Sequence, residues 1–210
     1  MAFDTQIADG LGALGIKASA DQISRLDAYV LLLARWNRVY NLTAVRNARD
    51  MVSRHILDSA SVCHALNGHR VADVGTGAGL PGIPLAILNP DSVFVLIDAS
   101  AKRTRFLEQA KIELALPQIA IVRERVETYR PRDLFTTAIS RAFSSTRDFV
   151  DNAGHLLAPD GRLLAMKGRL QSEPADTLAN GWRIETTERL NVPGIEGMRH
   201  LLIIVCDPPG

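Results

Sequence analysis

The densest run of chemically capable residues is Asp73-Val74-Gly75-Thr76-Gly77-Ala78-Gly79-Leu80-Pro81-Gly82, with four glycines and one carboxylate in ten positions. Such glycines turn the chain where a Cβ would obstruct it and let backbone N–H groups approach a ligand. Gly77, Gly79 and Gly82 also spell G-x-G-x-x-G, and Asp98 stands 19 residues past Gly79, as in a dinucleotide site. Asp73 tilts the balance, because a carboxylate repels pyrophosphate but attracts a ligand carrying an ammonium and a sulfonium. S-adenosylmethionine is that ligand. On this reading Asp73, Gly75, Gly77 and Gly79 meet its methionine end, Asp98 holds the ribose hydroxyls and Glu127 lies towards adenine. A nicotinamide or flavin site and a purely structural glycine turn are the alternatives.

The slot facing a methyl acceptor reads Ile139-Ser140-Arg141-Ala142-Phe143. It lacks the carboxamide-Pro-Pro-aromatic string often used on exocyclic amino groups. The similar Asp207-Pro208-Pro209-Gly210 has no aromatic and reads as a tail. Neither Cys63 nor Cys206 follows a proline in that slot, which disfavours covalent pyrimidine C5 chemistry. An acceptor that needs neither deprotonation nor covalent activation remains, and guanine N7 is one, with proximity and orientation supplying the rate. Arg141 is the candidate catalytic residue: a guanidinium can address guanine's acceptor edge or order the methionine carboxylate. An ordinary ion pair is its bland alternative. Phe143 either stacks on a base or belongs to the core.

The elements that must carry these residues change texture near residue 68. Residues 1–68 read as a helical cap, with Ser19 and Gln22 forming a capping box ahead of a helix that runs to about Asn37. A second helix is expected over Arg49 to Leu66. Residues 69–210 alternate strand and helix, with strands at Arg70–Val74, Val93–Asp98, Ile119–Arg123, Leu134–Ser140, Arg162–Met166, Trp182–Leu190 and His200–Cys206. Helices are expected at Gly82–Leu88, Lys102–Leu114, near Thr146–His155 and near Glu173–Asn180. The fold class is α/β, a Rossmann-like class I methyltransferase with a mostly parallel seven-stranded sheet. Its last strand is antiparallel, because Asn191–Met198 is too short for a helical crossover.

Over 210 residues, 24 Lys and Arg balance 23 Asp and Glu, so a nucleic-acid partner must be met by a local patch. Six arginines against two aspartates lie between residues 30 and 70, and eight basic against four acidic residues between 101 and 132. Arg103, Arg123 and, at the end of the fifth strand, Lys167 are the candidate RNA contacts. Two distant cysteines argue against a disulfide framework or a zinc site, and no metal is expected. No run is long enough to span a membrane, and no basic segment feeds an apolar one near Met1, so the expected address is the cytoplasm. A monomer is the default expectation.

Taken together, Trp36-Asn37-x-x-x-Asn41-Leu42-Thr43, Arg54-His55-x-x-Asp58-Ser59, the 73–84 loop, Lys102-Arg103-x-x-Phe106-Leu107, Ser140-Arg141-Ala142-Phe143 and Lys167-Gly168 are far more specific than the loop alone. In them nearly the whole chain resembles the glucose-inhibited division protein B (RsmG) family, guanine-N7 methyltransferases of small-subunit ribosomal RNA. The resemblance implies methyl transfer from S-adenosylmethionine to N7 of one guanine in the decoding region of small-subunit (16S) ribosomal RNA, in the context of the ribosomal subunit. It places cofactor contacts on Gly75, Leu80, Val126, Glu127 and Arg141. Asp98-Ala99-Ser100 departs slightly from the family's usual Asp-Ser but keeps Asp98. His55, Asp58 and Asn41 belong to the resemblance without an assigned role. A methyltransferase acting on a small molecule or protein is the alternative function.

Overall fold

The protein is described by a computed structural model that covers residues 2–143, 145–168, 170, 178 and 181–207. Its strands are β1 (Arg70–Val74), β2 (Val93–Ile97), β3 (Ile119–Val122), β4 (Phe135–Ser140), β5 (Leu157–Lys167), β6 (Trp182–Arg189) and β7 (His200–Cys206). They form one sheet in the order β3-β2-β1-β4-β5-β7-β6, parallel except for β7, which pairs antiparallel with both β5 and β6. The expected antiparallel strand is thus present, inserted inside the sheet rather than added at its edge. Near-continuous apolar runs such as Phe94-Val95-Leu96-Ile97, all buried, suit strands covered on both faces.

Side chains alternate between two apolar layers. Val71, Phe94, Leu96 and Ile139 face the layer formed by helices α1 (Asp4–Ala13), α2 (Ala20–Tyr40), α5 (Gly82–Leu88) and α6 (Ala101–Glu113), while Ala72, Val74, Val95 and Ala138 face α7 (Thr146–Ala153). The helices before residue 68 therefore cover the sheet directly, their apolar residues continuous with those of β1 and β2.

The capping box forms: Gln22 N–H donates to Ser19 Oγ (3.2 Å) and Ser19 N–H to Gln22 Oε1 (2.9 Å). Helix α2 continues one turn beyond the expected Asn37, because Asn41 takes the left-handed conformation (φ 48°) that closes helices. The second expected helix is split. It comprises α3 (Ala48–Met51), a π-helical segment at Val52–Leu57, α4 (Asp58–Ala60) and a 3₁₀ turn at Cys63–Ala65. Widening of the helix there resets the angular position of Asp58, and π segments recur at functional sites.

Helix α1 was not expected from the sequence: Gly10 and Gly12 weaken its local propensity. Its start is held instead by tertiary contacts, Phe3 N–H donating to Oδ1 of buried Asp27 (2.6 Å) and Ala2 N–H to its Oδ2 (3.3 Å). Strand β5 begins five residues earlier than expected, where Leu157 pairs with Phe135 ahead of a register shift. All of the helix expected near Glu173–Asn180 except Leu178, and the end of the 207–210 string, lie outside the described residues.

Candidate functional site

In the sheet order, β1 lies between β2 and β4, so the chain reverses its winding at the β1/β4 boundary. Ligands of open α/β sheets sit beyond the strand C-termini at such a switch point. There the glycine loop leaves β1, and Ser140-Arg141 leaves β4.

Backbone bonds shape the loop. Gly75 N–H and Thr76 N–H both donate to Ile97 O (2.9 and 3.1 Å). Gly75, Gly77 and Gly79 all have positive φ (68°, 61° and 89°), the region that L side chains avoid. A Cβ on Gly75 would also lie 2.9 Å from that of Ala142, so the two strand ends approach each other across this glycine. Beneath the loop, Asp73 is fully buried, and its Oδ2 accepts from Thr76 Oγ1 (2.6 Å) and from Gly82 N–H at the start of α5 (2.7 Å). Burial pushes its carboxyl up to about 7, against the opposing pull of those two donors and of Arg141. Its Oδ1 is buried without a partner among the described residues. An orphaned acidic oxygen below a glycine cradle fits the cationic end of S-adenosylmethionine.

Tyr29, which sequence reasoning did not single out, reaches the same loop from α2. Its hydroxyl, in the core against Phe106, donates to Ala78 O at 2.6 Å. The only sequence signal was its place on the apolar face of α2.

Asp98 ends the second strand as expected, and its carboxylate is occupied. Oδ2 accepts from Gly77 N–H (3.0 Å) and Arg103 Nη1 (3.2 Å), and Oδ1 accepts from Ser100 N–H (2.9 Å). Arg103, read from the sequence as an RNA contact, is therefore drawn towards the cofactor loop. Val126 is buried with Val74, Val95 and Ile97, which puts the turn after β3 beside the ends of β1 and β2. Glu127 next to it is exposed, and Leu80 is half-buried with its N–H on Thr76 O.

The second half of the site is assembled from distant elements. Asp58 is 3% exposed, and its carboxylate joins two guanidiniums: Arg141 Nη2 lies 3.2 Å from Oδ2, and Arg199 Nε lies 3.0 Å from Oδ1. Arg141 leaves β4, Arg199 enters β7 and Asp58 opens α4. Together with Lys167 and His200 they line a cavity of about 220 Å³. Three cationic side chains around one carboxylate make it a site for an anion or for an electron-rich base edge. Nη1 of Arg141 is buried with no partner among the described residues. Lys167 Nζ donates to Phe143 O (2.9 Å) at the rim. The sequence reading brought Arg141 and Lys167 to this region but gave Asp58 no role and did not select Arg199.

A polar chain supports the cavity from the cap. Buried Asn37 bonds to Thr43 N–H (2.9 Å) and Val45 O (2.9 Å), and Thr43 Oγ1 meets His55 Nε2 at 2.9 Å. Burial, with Arg141 nearby, lowers the His55 pKa to about 4. The ring is neutral near pH 7, so Nδ1 donates to Arg54 O and Nε2 accepts from Thr43. Asn41 meanwhile accepts from Arg46 Nη2 (2.8 Å).

Other expectations separate here. Arg123 is exposed just past β3. Arg35 and Arg70 are engaged with Glu113 and Asp133, so the basic rim counted from sequence is partly neutralised. Phe143 stacks on Phe149 (5.0 Å between ring centroids), which is the core alternative. Among the described residues, no helix is long and apolar enough to cross a membrane.

Residues 22–202 match the profile of the family described as rRNA small subunit methyltransferase G. The chain is 51% identical over 193 residues to ribosomal RNA small subunit methyltransferase G of Nitrosococcus oceani, covering 92% of this chain and 90% of that one. It is 46% identical over 202 residues to the protein of the same name from Pseudomonas aeruginosa, covering 96% and 94%. Among solved structures it is similar in fold to magnesium protoporphyrin IX methyltransferase from Synechocystis (TM-score 0.60, 23% identity, 90% of this chain and 99% of that one). It is also similar to TrmN from Thermus thermophilus (TM-score 0.56, 20% identity, 74% and 53%).

Proposed function

The chain belongs to the rRNA small subunit methyltransferase G family, and from that premise we propose that it transfers the methyl group of S-adenosylmethionine to N7 of one guanine in small-subunit (16S) ribosomal RNA. The observation that carries the reading is the meeting of an anionic cradle under the glycine loop with a cationic cavity at the end of β4, one on each side of the switch point.

When bound, S-adenosylmethionine supplies a methyl group on a sulfonium, which leaves as the neutral thioether when guanine N7 attacks with its ring lone pair. The residues need not remove a proton. Asp73 offers Oδ1 to the cationic methionine end, the open backbone of Gly75, Gly77 and Gly79 admits it, and Leu80 packs beside it. Asp98, Val126 and Glu127 receive the adenosine. Arg141 is the catalytic residue in this reading, its buried Nη1 addressing the acceptor edge of guanine or the methionine carboxylate. As methyl transfer places positive charge on guanine, the Asp58 carboxylate beside Arg141 moderates the field in the cavity. Lys167 and Arg123 meet RNA phosphates, and Arg103 does so from beside the loop. The proposal needs no metal and describes a monomeric, cytoplasmic enzyme.

The test incubates the protein with methyl-labelled S-adenosylmethionine and small subunits from cells lacking the enzyme, then identifies the labelled nucleoside. Label is expected in 7-methylguanosine, faster on subunits than on bare RNA, because the overall charge of +1 leaves shape to guide the encounter. Cofactor binding without label in RNA would move the assignment to a small-molecule or protein acceptor.

A further inference from the structure

The Asp58 carboxylate touches neither reacting group in the chemistry above, yet it is buried and shared by two guanidiniums from strands far apart in the chain. We propose that Asp58 is a positioning residue that locks Arg141 and Arg199 in one arrangement, so that the cofactor side and the RNA side of the site are set together. This inference rests on the reading of the chain as a ribosomal RNA methyltransferase.

Burying a carboxylate is unfavourable unless it is paired and hydrogen-bonded, and here each oxygen takes its own guanidinium. The pairing leaves Arg141 Nη1 turned away from Asp58 and unpartnered among the described residues. Arg141 is close enough to Asp73 to lower its proton affinity, so it borders the cofactor cradle as well as the cavity. Arg199 is fixed at its other end by Nη1 donating to Met198 O (3.0 Å). A guanidinium held by a carboxylate loses its freedom before substrate arrives, and the donors it keeps point in set directions. The π-helical Val52–Leu57 segment ends at Asp58, so the helix geometry that places this carboxylate is specific to the position.

The role has a signature that separates it from simple charge attraction or fold support. Neutralising Asp58 raises the net charge of the cavity by one, which by itself strengthens binding to RNA. Loss of orientation instead lowers turnover. In Asp58→Asn, kcat on unmodified small subunits is expected to fall about 100-fold, with KM for subunits unchanged or lower. Calorimetry on the protein alone is expected to show about fivefold weaker binding of S-adenosylmethionine, reporting the Arg141 end. Arg199→Gln, which leaves the Asp58–Arg141 pair in place, is expected to lower kcat about tenfold, and the double variant to be no worse than Asp58→Asn.

Values of kcat and cofactor affinity within twofold of wild type in a folded Asp58→Asn protein overturn the proposal. So does a raised KM with unchanged kcat, or multiplicative losses in the double variant. If Asp58→Asn does not fold, Arg199→Gln decides alone, and wild-type kcat there overturns the proposal. A wild-type protein that binds the cofactor but labels no subunit refutes the proposed function. The calorimetric comparison then still decides the role of Asp58, with unchanged affinity overturning it.

Discussion

The glycine loop and the Asp58 cavity lie on the two sides of one switch point and are built in opposite ways. The loop is a local object: ten consecutive residues whose backbone bonds to the adjacent strand end and whose glycines take conformations denied to other residues. The cavity is a meeting of side chains from α4, β4, β5 and β7, held by charge. Backbone-built sites fail through strain, and side-chain-built sites fail through lost partners. The difference teaches that damage to the loop should fall mainly on cofactor affinity, whereas damage to the cavity should fall mainly on turnover, with a smaller effect on affinity through Arg141.

The strongest test of that separation is Arg141→Ala. It removes a donor at the reacting end and leaves Asp58 with Arg199 alone, so kcat is expected to drop by about 100-fold or more in single-turnover measurements. If cofactor binding disappeared equally, the two regions would be one. Gly75→Ala attacks the other side. Its φ of 68° and the 2.9 Å approach to Ala142 are expected to cost about 1–3 kcal/mol, read as roughly 5- to 150-fold weaker cofactor binding in calorimetry.

The Asp73 carboxyl sharpens the comparison through pH. Its proton affinity in the free protein is raised from the ordinary carboxylate value of 3.8 to about 7. Its contribution to stability is therefore fully present below pH ~4 and is lost as pH rises through about 7. A bound cation favours the ionised form, so cofactor binding releases a proton below that pH. Affinity is expected to rise by up to about tenfold per pH unit between pH 6 and 7 and then level. Calorimetry in two buffers of different ionisation enthalpy measures the proton released, and Asp73→Asn should abolish it. A smaller effect is expected from Tyr29→Phe, which leaves Ala78 O unpaired in the core. About 1–2 kcal/mol of stability should be lost in denaturant unfolding, with a severalfold higher KM for the cofactor and unchanged KM for subunits.

What could be foreseen follows the same division. The loop and Asp98 were legible because their signals are contiguous, glycine spacing and a strand end, whereas Val126 entered only through the family resemblance. The inner strands were legible because apolar runs covered on both faces leave a strong local mark, whereas edge strand β6 is mostly exposed, its half-buried Trp182 and Ile184 alternating with exposed Arg183 and Glu185. Asp58 and Arg199 stand 141 positions apart, and nothing in the composition around either announces the pairing. Tyr29 looked like one more apolar position on α2, because a hydroxyl that finds a backbone carbonyl leaves no pattern. Helix α1 was invisible for a related reason: its two glycines argue against a helix until Asp27 and the packing of Leu57 against Gly10 are in place. Arg103 was read as part of an outward basic cluster, and its contact with Asp98 left no mark in the spacing because it joins a strand end to the helix that follows.

Strand β7 follows β6 in the chain but lies between β5 and β6 in the sheet. Pairing with β7 is the sheet contact of β6, so without residues 200–206 strand β6 has no neighbour in the sheet. The residue that leads into β7 is Arg199, which pairs with Asp58. One short segment thus closes both the sheet and the Asp58 cavity, and a chain truncated before residue 199 would lose the anchor of β6 and one of the two guanidiniums on Asp58 together.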